Sequence, residues 1–114
     1  MKDLIAQGDL LLEKVPDVPV TGSIIAPRAG VALVLAEGET TGHRHAVLGG
    51  ATLFRDDGLA RDIPDNLYVG HLKVPTEGAN LVHEEHAPIA LGEGTYRVRR
   101  QREIEPKDVR VVAD

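Results

Sequence analysis

The five histidines fall in three places: His43 and His45, then His71, then His83 and His86. Cysteine is absent, so any metal must sit on nitrogen and oxygen, and disulfides, thiolate zinc fingers, iron–sulfur clusters and cysteine nucleophiles are excluded. In Gly42-His43-Arg44-His45 an extended backbone points both imidazoles to one face, roughly 6.5 to 7 Å apart at the backbone, a spacing from which both rings reach one ion. His83-Glu84-Glu85-His86 reads two ways. An extended chain puts His83 and Glu85 on one face, whereas a turn brings His83 and His86 together. The expectation is a divalent-metal centre in which His43 and His45 are joined by His83, His86 or Glu85. That set supplies the three or four N/O ligands of a Zn, Fe, Mn or Ni site with an open position. A metal-polarised water or substrate would then react with Glu84 or Glu85 as proton carrier, and Glu39, Glu84 and Glu85 are carboxylates near enough in sequence to hold free ring nitrogens. Two other readings compete: surface or hydrogen-bonded core histidines, and a His/Glu-rich subunit contact that titrates at about pH 6 to 7.

The remaining chemistry is sparse. In Thr95 to Arg102 (TYRVRRQR) a strand puts Arg97 and Arg99 on one face and Arg100 and Arg102 on the other. If a substrate is anionic, Arg97 or Arg99 is its expected anchor, because a guanidinium holds a carboxylate or phosphate through two parallel bonds. Tyr68 and Tyr96 lie among apolar residues and are expected to pack. The glycines at 49–50 and 92–94 lack a following Lys-Ser/Thr or a βαβ setting, so no phosphate loop or dinucleotide fingerprint is present. Ser23 is the only serine and occupies no nucleophile elbow.

Short Val/Ile/Leu-rich segments punctuated by 12 Gly and 7 Pro must position these groups, and they predict an all-β protein. Expected strands are Asp9 to Val15, Ser23 to Ala26, Gly30 to Ala36, Thr41 to Val47, Ala51 to Arg55, Asn66 to Val74, Ala79 to Glu85, Ala87 to Leu91, Thr95 to Ile104 and Val109 to Val112. Gly30 to Ala36, apolar at nearly every position, is the expected central strand. Gly49-Gly50 is expected to close a hairpin into Ala51 to Arg55. Met1 to Gln7 is the one helical alternative, marginal unless docked. Around nine short strands imply a single domain over residues 1–114, a small barrel or two-sheet roll, because one open sheet would leave long edges unpaired.

The chain has 114 residues, enough for one compact domain. Its 42% hydrophobic and 27% charged residues fit a folded domain, and with 3% aromatics Leu, Val and Ile must fill the core. Few rings and a net charge of −5 disfavour nucleic acid, whose binding draws on stacking and phosphate neutralisation. No apolar run of about 20 residues suggests a membrane span, and no signal-peptide core is seen, so the expected location is the cytoplasm, of a bacterium or a phage-infected cell.

Gln7-Gly8-Asp9-Leu10-Leu11-Leu12, Leu35 through His45, His83-Glu84-Glu85-His86-Ala87-Pro88-Ile89 and Gly94 through Glu103 together resemble a pattern shared by small uncharacterised proteins of bacterial and bacteriophage genomes. The resemblance spans nearly the whole chain and implies a stand-alone, often phage-encoded domain with no activity attached. His43-x-His45 also resembles the first metal motif of cupins. No Glu follows within Ala46 to Ala51, and neither His83 nor His86 fits the later cupin motif, so only His43 and His45 carry over as ligand-like positions. Taken together, the expectation is a metal-binding β-barrel or roll, homo-oligomeric; the alternative is a non-enzymatic phage accessory protein with a His/Glu-rich subunit interface.

Overall fold

The computed structural model describes residues 3–27, 32–37 and 43–101. Among these described residues, ten antiparallel strands form two sheets. The strands are β1 (Leu4–Gln7), β2 (Leu10–Val15), β3 (Ser23–Ile25), β4 (Leu33–Glu37), β5 (Arg44–Leu48), β6 (Thr52–Arg55), β7 (Tyr68–Val74), β8 (Ala79–Val82), β9 (Ile89–Leu91) and β10 (Gly94–Arg100), with a 3₁₀ turn at Asp57–Leu59. The order β1-β2-β10-β7-β6-β3 makes a six-stranded sheet, and β4-β5-β8-β9 a four-stranded one. This is the two-sheet alternative of the all-β expectation.

Strand alternation explains the packing. Leu10 and Leu12, Tyr96 and Val98, Leu72 and Val74, and Leu53 share a face of the large sheet; Leu33, Leu35, Val47, Leu81 and Leu91 answer from the small one, and all belong to one buried cluster. Aliphatic side chains dominate it, as a chain with few aromatics requires. The opposite face of the large sheet carries a row of register partners, Glu13, Arg97, His71 and Phe54. The segment 56–67 lies over that face: Asp62 reaches Arg97, Tyr68 reaches His71, and Ala60, Ile63, Leu67 and Tyr68 form a second, smaller core.

Several sequence expectations are corrected. Residues 4–7 form a strand rather than a helix, because pairing with β2 buries Ile5 and Gln7, a gain that two isolated helical turns lack. The Gly49-Gly50 turn is tight, with Ala51 N–H donating to the Gly49 carbonyl at 2.6 Å, but it closes no hairpin. Both edges of β5 are taken by β4 and β8, so the turn hands the chain to the other sheet, where β6 pairs β3 and β7. The apolar β4 lies at an edge of the small sheet among the described residues, not at a centre. The Val109 to Val112 expectation lies outside the described residues.

Candidate functional site

The site is built where the two sheets meet at one end. In β5, His45 falls on the same side as Val47, facing the space between the sheets, and is 3% exposed; His43, two residues earlier, follows the same alternation. β8 lies beside β5 with Leu81 opposite Val47 and Val82 opposite Ala46, so His83, leaving β8, arrives next to His45. The chain then turns. Glu85 N–H donates to His83 Nδ1 at 3.0 Å, and the turn brings His86 back towards His83, ring centroids 4.7 Å apart. Of the two readings of His83-Glu84-Glu85-His86, the structure adopts the turn.

Four imidazoles therefore converge. His45 lies 4.4 Å from His83 and 6.2 Å from His86, and His43 lies 5.6 Å from His83, between ring centroids. The carboxylates of the turn divide their tasks. Glu84 accepts the Arg44 backbone N–H at 2.8 Å, docking the turn on β5, and that bond holds its carboxyl below the ordinary value. Glu85 is 69% exposed, with one oxygen 3.8 Å from His43 Nδ1. Among the described residues, no three His, Asp or Glu side chains are arranged so that they could together hold a metal ion. The Glu85 N–H occupies the Nδ1 lone pair of His83, leaving Nε2 as its N–H.

The β1–β2 hairpin closes the site from the large sheet. Buried Gln7 donates its amide to the carbonyls of Leu81 (3.4 Å) and Ala87 (3.1 Å), which leaves its oxygen to accept from His45 Nδ1 at 2.9 Å. The proton of His45 is thereby fixed on Nδ1, and Nε2 presents its lone pair. Burial pushes the His45 imidazole below its ordinary value; nearby His83 adds to this and Asp9 opposes it. Gly8 turns the hairpin with φ +60, and a Cβ there would stand 3.1 Å from His86 Nε2 and 3.4 Å from His45 Nε2. Both ring nitrogens thus rest against backbone that only glycine leaves open. Asp9 follows, with Oδ1 3.5 Å from His45 Nε2 and Oδ2 3.5 Å from Arg100 Nε.

The expected anion anchors lie elsewhere. Arg97 is held on the opposite face of the large sheet by Glu13 (2.7 Å) and both oxygens of Asp62 (2.9 and 3.0 Å). Arg99 shares that face by alternation. Arg100, by contrast, reaches Asp9 beside the histidines and donates to the Glu37 carbonyl. His71 stands apart from the other four, buried with Tyr68 and Phe54. Glu39, Gly42 and Arg102 lie outside the described residues. Sequence reasoning about chemistry passed over Gln7, Gly8, Asp9 and Arg100. Their signal was the Gln-Gly-Asp sequence, a polar residue and a turn pair directly before the apolar Leu10-Leu11-Leu12.

The segments that come together here, 7–9, 43–45, 83–87 and the end of β10, are those that carry the small-protein pattern noted in the sequence, and residues 6–101 match the domain of unknown function DUF8820. The chain belongs to the DUF8820 family. No curated protein and no solved structure matches it. The DUF8820 match begins at the β1–β2 hairpin and ends just past Arg100, so it takes in every residue of the histidine site. The likeness of His43 and His45 to a cupin motif extends no further than those two positions.

Proposed function

We propose that this DUF8820 chain binds a divalent metal ion on nitrogen and oxygen, with His43, His45, His83 and His86 as its ligands. The observation that carries the reading is the convergence of four imidazoles from two distant segments, with centroid separations of 4.4 to 6.2 Å, one of them held by Gln7 in the tautomer that offers Nε2. An outer hydrogen bond of this kind is what orients metal-ligating histidines in general. Closure requires ring rotation, and His83 joins by exchanging its bond from the Glu85 N–H for the metal. The His/Glu segments engage one another within one chain, which favours an intrachain centre over a subunit contact. Zn, Fe, Mn and Ni all suit such a donor set. An open position on the ion would polarise a bound water, and Glu85, exposed beside His43, is the carboxylate placed to take its proton; Glu84 is already committed to Arg44.

The test is elemental analysis of the untagged full chain, with melting curves in chelator and in added zinc. Near-stoichiometric metal and a melting temperature several degrees lower in chelator are expected, since an ion bound only to the native state adds about 2.7 kcal/mol of stability at one hundred times its dissociation constant. A metal-free protein whose melting curve is indifferent to both zinc and chelator would overturn the reading.

A further inference from the structure

The geometry points to Asp9 as an oxygen ligand of this centre, with Arg100 as the residue that positions it, so that the ion joins the large sheet to the small one. This rests on the metal reading above and changes its donor set from four imidazoles to a four-coordinate His/carboxylate one, in which Asp9 takes the place of one histidine beside His45.

The amide of Gln7 leaves His45 Nε2 as a lone pair, and an ionised carboxylate offers only lone pairs. Yet Asp9 Oδ1 faces Nε2 at 3.5 Å. A lone pair and a carboxylate oxygen that face one another are drawn together by a shared cation. Ligands bound at about 2.0 to 2.2 Å to a tetrahedral ion stand roughly 3.4 Å from each other, so the observed spacing suits a common metal. It is longer than an ordinary hydrogen bond.

The second observation is on the other carboxylate oxygen. Among the described residues, Arg100 Nε is a buried donor without a hydrogen-bond partner, and Asp9 Oδ2 stands 3.5 Å from it. A small rotation of the Asp9 carboxylate satisfies that donor while Oδ1 stays with the imidazole. The Gln101 N–H donates to the Asp9 carbonyl at 2.7 Å, so β10 fixes the aspartate's backbone as well. Gly8 lets the hairpin approach: its bare Cα faces the Nε2 atoms of both His45 and His86. Asp9, half exposed, completes the centre from the solvent side. A hard carboxylate beside imidazoles selects Zn, Fe(II), Mn or Co over Cu(I).

The experiment titrates Co(II) into the untagged full chain and into Asp9→Asn, Asp9→Ala and Arg100→Gln, following the visible absorption of bound cobalt and its competition with a chelator. Melting of the metal-free proteins checks folding, and Asp9, being exposed, is expected to leave it nearly unchanged. The expected result is one cobalt per wild-type chain, with affinity reduced on the order of 10- to 100-fold in the Asp9 variants and a displaced absorption band in Asp9→Ala. Arg100→Gln should lose affinity while keeping the wild-type band, because it alters no ligand. Wild-type affinity and spectrum in both Asp9 variants would overturn the Asp9 assignment while leaving a histidine centre intact. A wild-type chain that binds no cobalt would overturn the metal reading and this one with it.

Discussion

At the scale of single residues, the centre depends on one amide. Gln7 is 2% exposed, and its three hydrogen bonds tie β1 to the end of β8, to the loop carbonyl of Ala87 and to the His45 ring. Gln7→Met keeps the volume and removes every one of those bonds, leaving two carbonyls and an imidazole N–H with no partner from this side chain. A buried polar group stripped of its partner costs about 1–3 kcal/mol, and relaxation will satisfy some of the three, so we predict a loss of about 2–3 kcal/mol in urea unfolding. The second signature is spectroscopic. Long-range ¹H–¹⁵N correlations should show His45 protonated on Nδ1 in the wild type and a mixture of tautomers in Gln7→Met. A variant as stable as the wild type, with the tautomer unchanged, would show that the Gln7 network does not orient His45.

At the scale of elements, the β1–β2 hairpin and the His83–His86 turn are the parts that make a site from a sheet edge. Glycine is needed at one turn and optional at another. Gly8→Ala places a left-handed backbone on an L-residue, at about 1–2 kcal/mol, and its methyl would press on His45 and His86. At Gly50, by contrast, no atom of the described residues stands within 4 Å of where a Cβ would sit, so Gly50→Ala should stay within about 0.5 kcal/mol. Thermal melts of the two variants check this contrast, and equal effects would refute the role given to Gly8. The elements also show what the sequence could and could not express. Strand positions and the inward set of β2, β8 and β10 follow from alternation and from Gly and Pro punctuation, which are local signals. The convergence of His43 and His45 with His83 and His86 was readable as a possibility, because residue types are visible before their contacts are. Which sheet receives the chain after Gly49-Gly50 was not readable, since a tight turn has the same residues whether it closes a hairpin or crosses between sheets. Asp9 and Arg100 were missed for a related reason: single charged residues are ordinary surface until β10 docks against the hairpin, a contact about 90 residues apart in sequence.

At the scale of the whole molecule, two buried imidazoles couple folding to pH. Burial holds His71 below its ordinary value, with Arg97 adding to the effect and Asp56 opposing it; burial does the same for His45, with His83 adding to it and Asp9 opposing. A histidine depressed in the native state takes up its proton more readily when unfolded. Its contribution is therefore present above the unfolded value of about 6.5 and is lost as pH falls through the folded value. Carboxylates act in the same direction further down: hydrogen bonds from the Thr95 hydroxyl to Asp17, the Thr21 hydroxyl to Asp56 and the Arg44 N–H to Glu84 hold these groups low, and that support is lost only as pH falls below about 4 to 4.5. The metal-free protein should thus hold its melting temperature between about pH 7.5 and 9 and lose stability as pH falls below about 6.5, each of the two histidines contributing a fraction of a proton to the slope. His71→Phe separates the two. Its ring can remain beside Phe54, whose centroid is 5.7 Å from that of His71, and Tyr68 retains the Asp56 backbone as a partner, while the protonation site is gone. Urea titrations at pH 5.5, 6 and 7.5 in chelator should show a shallower pH slope in His71→Phe, the remainder being that of His45. An undiminished slope in His71→Phe would mean that the acid sensitivity comes from elsewhere in the chain, and that the covered face of the large sheet is electrostatically silent in this range.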